Sequence, residues 1–434
     1  MLPVGRPEFA SRQISFGPFV VDVDWPRLRR NGQELELRPR AFRVLKVLLQ
    51  NPGRVVDYRQ MIRDAWDGIQ VSTHTVTVTV GELKEVLGEY GSWISCRPKF
   101  GYCLEMPATE DLIRTGWHFW NQFTRTGFDN ALRCFQQAAD ADTADFRAFE
   151  AISSTYLTRA SLLIRSPEEN YRGFLEAHNR AMALCGLTPE LRLDRAFALY
   201  IFEQKVQEAE AALQEVQREE PRNADLYVRL SMVHLALGRM DEALQDLEQA
   251  QAIDALFPPL SFVWTIVHLF RREFDAAVAC GKNTVDLHPS SQIGRTDYAL
   301  ALELAGRPVE AMAQYKLAST MAFDIPWMRA REAMCLARYG NRADARRVLE
   351  ELRRNRDTDY IDAYHLALLL SALGKPGEAF RELERAWEEK SWAVLLVDVD
   401  TRADALRSDP RFPAWRRKIN AYRARRDSPS MKIV

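Results

Sequence analysis

The sequence predicts a mostly α protein in two parts, a small α+β domain followed by a long α-solenoid of paired helices. Three observations predict it. Strand signals nearly vanish beyond roughly the first quarter of the 434 residues. Within that quarter, two amphipathic helix patterns separated by a glycine are followed by a short basic hairpin pattern. Beyond it, alanines recur every 34 residues, at Ala209, Ala243, Ala277, Ala311, Ala345 and Ala379, in otherwise helical sequence.

Taken in order, residues 14–38 alternate short apolar runs with turn residues. Phe16-Gly17-Pro18-Phe19-Val20-Val21 and Arg27-Leu28-Arg29-Arg30 flank Asp24-Trp25-Pro26, and Asn31-Gly32 is a strong hairpin turn before Glu34-Leu35-Glu36-Leu37. The pattern predicts a small antiparallel sheet. Pro39 suits the first turn of a helix whose stripe is Phe42, Leu45, Leu48 and Leu49, and Asn51-Pro52-Gly53 stops it. Asp57, with Gln60 three residues on, has the form of a capped start for a second helix carrying Met61, Ile62, Ala65 and Trp66. Gly68 breaks it. Ser72 opens a third segment with Val76, Val80, Leu83 and Leu87 at three- and four-residue spacing, closed by Gly88. Trp93 to Cys103 then reads as a β-hairpin with a basic tip. Helix, turn, helix and basic hairpin outline a winged helix-turn-helix domain.

The quoted residues, with Leu37-Arg38-Pro39, Asn51-Pro52-Gly53-Arg54-Val55-Val56 and Arg97-Pro98-Lys99-Phe100-Gly101-Tyr102, resemble the OmpR/PhoB-type winged-helix family over about residues 14–106. The resemblance implies that the Ser72–Gly88 helix enters the major groove of promoter DNA and that the hairpin reaches the adjacent minor groove. The expected DNA-binding residues are His74, Thr75, Thr77, Thr79, Gly81, Glu82, Lys84, Arg97 and Lys99, with Glu85 also on the exposed side. Where family members usually carry arginines, this helix has Gly81, Glu82 and Lys84. Glutamates there face phosphates unfavourably, although Glu82 can accept a hydrogen bond from cytosine N4. Trp66, Phe100 and Tyr102 are expected in the core. With 13 residues upstream of the match, no phosphoacceptor receiver domain is expected.

The 34-residue period resembles the tetratricopeptide (TPR) repeat, a helix-turn-helix unit that buries its apolar faces only when stacked. Small residues stand twelve positions before five of the alanines, at Ser231, Thr265, Ala299, Ala333 and Ala367. Turn residues stand five positions before, at Gly238, Arg272, Gly306, Gly340 and Gly374. Pro221 and Pro289 share another register, and Thr126 to Leu132 looks like an earlier, out-of-phase unit. Seven to nine pairs are expected, with Trp387–Ile419 as a terminal cap. The resemblance puts the first helix of each pair on the concave face, where Phe262, Ile266, Leu300, Trp327, Met334, Tyr364 and Leu368 would line an apolar groove for a partner or ligand. The other reading is that the protein's own N-terminal or C-terminal helices fill it.

The expected division is a tail at 1–13, the winged-helix domain at 14–106, a linker at 107–111, the solenoid with its cap at 112–424 and a tail at 425–434. A net charge of −1 argues against a protein that coats nucleic acid or anionic membrane along its length, while residues 1–106 carry 15 Lys+Arg against 12 Asp+Glu. The six cysteines show no CxxC pair and no histidine spacing suited to zinc, which predicts reduced thiols and no metal. Residues 1–12 lack a signal-peptide core, and no run approaches the roughly 18 apolar residues of a membrane span, so a bacterial-type cytoplasmic location is expected. No phosphate-binding loop, nucleophile elbow, HExxH or dinucleotide fingerprint is present, so neither enzyme activity nor a cofactor is expected.

The combination resembles one-component regulators of the HilA kind, which implies a transcription activator acting without phosphorylation. Its expected partners are double-stranded promoter DNA, RNA polymerase, a regulatory protein or small ligand at the groove, and a second copy of the chain on DNA. The alternative is an interaction scaffold whose winged helix contacts protein instead of DNA.

Overall fold

Short alternating strands, too small to form a core alone, begin the chain in the computed structural model, which describes residues 13–16, 19–22, 26–30, 33–106, 108–255, 257–321 and 325–426. Strands β1 (Gln13–Phe16), β2 (Phe19–Asp22), β3 (Arg27–Arg30) and β4 (Gln33–Leu35) form an antiparallel sheet in chain order. Arg30 lies opposite Gln33, while the predicted turn at Asn31-Gly32, like Asp24-Trp25, lies outside the described residues. Alternation sends Phe19 and Val21 inward, into the core they share with α1 (Pro39–Leu49). β5 (Val55–Asp57), α2 (Tyr58–Ala65), α3 (Thr73–Leu87), β6 (Ile94–Arg97) and β7 (Gly101–Leu104) complete the domain, with the second sheet ordered β5-β7-β6. Phe16, Phe19, Leu45, Leu48, Val56, Met61, Val80, Leu83 and Tyr102 share one core.

The helical part runs through α4 (Ala108–Trp120), α5 (Arg125–Ala141), α6 (Phe146–Ser161), α7 (Pro167–Cys185), α8 (Pro189–Ile201), α9 (Val206–Glu219), α10 (Ala224–Ala236) and α11 (Met240–Ile253). It continues with α12 (Pro258–Phe270), α13 (Phe274–Leu287), α14 (Gln292–Leu304), α15 (Pro308–Thr320), α16 (Pro326–Tyr339), α17 (Arg342–Arg354), α18 (Ala363–Ala372) and α19 (Pro376–Glu388). α20 (Asp404–Arg407) and α21 (Phe412–Arg426) end it. The chain divides into two compact units, residues 1–118 with 133–144, and residues 119–132 with 145–434. The expected linker position is therefore helical from Ala108 onward.

In the second unit, α6 to α19 form successive helix hairpins. The 34-residue alanines and the small residues twelve positions ahead of them are all buried, which is how the paired helices come close. At the turn register the backbone takes the left-handed conformation at Gly238, Gly306 and Gly374, with φ of 77°, 75° and 73°, but not at Gly340, whose φ is −127°. Arg272 and Gln204 hold the same conformation, at 63° and 57°, without glycine's freedom. At those two turns the repeat sets the geometry although the residue type does not favour it.

The face formed by the first helices is occupied by the chain itself. Residues 391–407 run along it: Trp392 stacks edge-on with Tyr200 and donates from Nε1 to the Ala160 carbonyl at 3.1 Å. Gln204 donates to the Ser391 carbonyl at 3.3 Å, and Tyr364 donates to Asp400 at 3.0 Å. Asp400 also receives Arg402 through Nε and Nη2, at 2.9 and 2.6 Å. Trp327 on α16 reaches back to the Leu162 carbonyl at 2.8 Å.

Candidate nucleic-acid interface

The helix-turn-helix is set by two caps. Asp57 accepts from the Gln60 N–H at 2.7 Å and starts α2; Ser72 accepts from the Thr75 N–H at 3.2 Å and starts α3. Val76, Val80, Leu83 and Leu87 bury one face of α3 against the domain core. The face opposite is therefore His74, Val78, Gly81 and Glu85, at spacings of four, three and four, with Thr77 and Glu82 on its shoulders.

One expected contact is corrected here. Thr79 is 8% exposed and donates to the Thr75 carbonyl at 3.0 Å, so it faces the core. The run Thr75-Val76-Thr77-Val78-Thr79-Val80 alternates with a period of two, whereas the helix turns with 3.6, so one valine must face out and one threonine in. The outward valine, Val78, is 48% exposed and was missed by following the threonines. Projecting the helix from Val76, Val80, Leu83 and Leu87 would have found it.

The wing is tied to this helix. Tyr102 on β7 donates to Thr77 Oγ1 at 3.1 Å, and burial pushes its phenol above the ordinary tyrosine value. Thr77 in turn donates to the Thr73 carbonyl at 3.0 Å. At the wing tip Lys99 takes a positive φ of 71° and is exposed. Phe100 is 69% exposed, which corrects its expected place in the core; Trp66 and Tyr102 are buried as expected. The Phe100 backbone is pinned on both sides, donating to the Arg97 carbonyl at 3.0 Å and accepting from the Tyr58 N–H at 3.1 Å. Gly101 allows this: its φ is 153°, and a Cβ there would lie 2.0 Å from the Val56 carbonyl oxygen.

The charges are partly neutralised. Arg38 donates to Glu82 at 2.8 Å, so that carboxylate does not stand alone on the helix. Arg97 pairs with Glu105, and Arg43 and Arg40 flank Asp67; the hydrogen bond from Arg43 chiefly holds that carboxyl below its usual range. Arg30 lies over the Phe19 and Tyr90 rings, 5.8 and 5.5 Å from their centroids. Arg54, Arg59, Lys84 and Lys99 form no ion pair among the described residues, and neither does Glu85. His74, Thr75, Thr77 and Lys99 are exposed, with Gly81, Glu82 and Lys84 half-buried beside them.

The expected open groove on the repeats is corrected. Leu300, Trp327, Met334, Tyr364 and Leu368 are buried, and Phe262 and Ile266 are half-buried. Phe262 stacks on Phe123, centroids 5.8 Å apart, and Arg331 lies 4.4 Å above the Trp327 ring. The second reading of this face, that the protein's own segments fill it, is the observed one. Among the described residues no cluster suited to a metal is found, and no helix is long and apolar enough to cross a membrane.

Over residues 32–104 the chain matches the family described as "Transcriptional regulatory protein, C terminal", and over residues 202–259 the family described as "Tetratricopeptide repeat". The phosphate regulon transcriptional regulatory protein PhoB of Rhizobium meliloti is 35% identical over 88 residues, 20% of this chain and 39% of that protein. The transcriptional activator CadC of Escherichia coli is 30% identical over 98 residues, 22% of this chain and 19% of that protein. The transcriptional regulatory protein CutR of Streptomyces coelicolor is 43% identical over 61 residues, 14% of this chain and 28% of that protein. The chain thus spans well under half the length of these relatives. A solved tetratricopeptide repeat protein from Parabacteroides merdae is 14% identical, with 62% of this chain and 98% of that one covered and a TM-score of 0.40. The N-terminal domain is an OmpR/PhoB-type DNA-binding domain, and the helical region carries tetratricopeptide repeats.

Proposed function

We propose that this protein is a sequence-specific, DNA-binding transcription regulator of the bacterial cytoplasm, acting on duplex promoter DNA through α3 and the β6–β7 wing. The observation that carries the reading is the outward face of α3, held in register with the wing by the Tyr102–Thr77 hydrogen bond. Such a face presents side chains to base edges while the wing cations meet phosphate. Arg38 is placed to leave Glu82 for a phosphate as DNA approaches, since the pair is exposed and therefore weak. The repeat array serves a protein partner, RNA polymerase or a regulator, in activating transcription. With its inner face filled by residues 391–407, that partner engages outer helix positions, where Val309 and Leu317 of α15 are exposed. Selection of binding sites by the full chain from random duplex DNA tests the reading. Enrichment of one sequence supports it, and sequence-blind or absent retention contradicts it.

A second reading rests on Glu85, a carboxylate on the outward face that has no ion pair among the described residues. It favours a scaffold whose winged helix contacts a basic protein surface, and the same selection separates the two.

A further inference from the structure

The outward face of α3 is poor in charge and holds two features that the fold does not need. Val78 is 48% exposed, an apolar side chain in the middle of a surface turned away from the core. Gly81, one turn on, is inside a regular helix, where glycine is the least favourable ordinary residue. Nothing lies within 4 Å of where its Cβ would be, so no packing contact explains its small size. Residues three apart on a helix are surface neighbours. The two therefore make a small apolar notch, with the Val78 methyls as one wall and the bare helix backbone at Gly81 as its floor.

We infer that this notch seats the 5-methyl group of a thymine in the major groove, making Val78 and Gly81 specificity-determining residues for the target site. The inference rests on the DNA-binding reading above and names what its recognition helix reads. In the major groove, thymine alone among the four bases presents a methyl, and apolar side chains read it. Valine's branched side chain is held in one rotamer in a helix, so its methyls are pre-positioned and lose little freedom on contact. Gly81 removes the side chain that would otherwise hold the base-pair edge away from Val78. The face offers no arginine for bidentate guanine contacts: its centre is His74, Val78, Gly81 and Glu85. Methyl contact and shape then carry more of the sequence discrimination than guanine hydrogen bonding.

The test uses the full chain and the duplex it selects from random DNA. Each thymine in the site is replaced singly by deoxyuridine, which removes the methyl and leaves every hydrogen-bonding group in place. One position is expected to bind about fourfold more weakly as deoxyuridine, the worth of one buried methyl carbon. Val78→Ser, which removes both valine methyls, abolishes that difference, and Gly81→Ala reduces it while weakening binding to the thymine duplex. Both positions are on the surface, so circular dichroism confirms that the variants fold. Specific binding with no methyl effect at any thymine, or a methyl effect that survives Val78→Ser, overturns the inference and leaves the DNA-binding reading standing. Failure to select any sequence overturns both.

Discussion

Replacing Asp400 by alanine tests whether residues 391–407 are part of the repeat core. Asp400 is fully buried and accepts four donors: the backbone N–H, Nε and Nη2 of Arg402, and the Tyr364 hydroxyl. Burial alone would raise its pKa, but the Arg402 guanidinium and these hydrogen bonds hold it below the ordinary aspartate value. Alanine would leave the buried Arg402 without its carboxylate and Tyr364 without its acceptor. Removing one member of a buried pair costs about 3–5 kcal/mol, because the other charge remains desolvated. Asp297 and Glu303 lie near enough to stabilise Arg402 in part, so the lower end of that range is expected. Equilibrium urea unfolding of the full chain, read by tryptophan fluorescence, measures it, since Trp327 and Trp392 sit on this face. Because the folded pKa is depressed, the carboxylate's contribution is present above its unfolded value and is lost as pH falls through the folded one. The variant's deficit should therefore shrink in acid. A loss below about 0.5 kcal/mol at neutral pH, the size of an ordinary surface change, would refute the account of this segment as core.

Other expectations follow from single residues. Glu150 is pushed up to about 8 by burial first and by Glu190 and Asp194 next. The native state then keeps a proton that the unfolded chain loses, so stability from this group falls as pH rises from its unfolded value towards 8. Glu150→Gln should raise stability at pH 8 by about 1–3 kcal/mol and flatten the pH dependence of melting between 5 and 8; an unchanged profile would contradict the assignment. Gly81→Ala, with open space around its Cβ, should stabilise the winged domain to thermal melting by about 1 kcal/mol. Gly101→Ala should do the reverse, collapsing the wing and with it protection of the β7 amides from hydrogen exchange, because its Cβ would overlap the Val56 carbonyl. Phe100→Ala should change stability by less than about 0.5 kcal/mol, as its side chain is exposed, yet weaken DNA binding in anisotropy titrations.

How much of this was legible in the sequence depends on how local each signal is. Caps at Asp57 and Ser72, the breaks at Gly68 and Gly88, and the 34-residue register act within a few residues and translate directly into structure. Arg272 and Gln204 show the register prevailing over residue preference at a turn. The failures arise where two local patterns compete or where the determinant is distant. At α3 a threonine–valine alternation of period two masks the helical projection, which is what places Thr79 outside and hides Val78 when the threonines are followed. The apolar stripe of the first helices was recognisable, but its covering was not. Trp327 meets Leu162 and Trp392 meets Ala160 across most of the array, and no spacing rule reaches that far. Hydrophobicity alone places Phe100 inside, whereas the positive φ at Lys99 and the close approach at Gly101 turn it outward.

The salt dependence of binding to the selected duplex tests the central claim most directly, comparing the wild-type chain with one carrying Lys84→Ala, Arg97→Ala and Lys99→Ala. Each phosphate contact contributes about 0.9 to the slope of log affinity against log salt. The account predicts tight, specific binding by the wild type and a slope lower by about 2–3 in the variant, with weaker binding at every salt concentration. Equal slopes and affinities for the two proteins would mean that α3 and the wing do not meet DNA, and would contradict it.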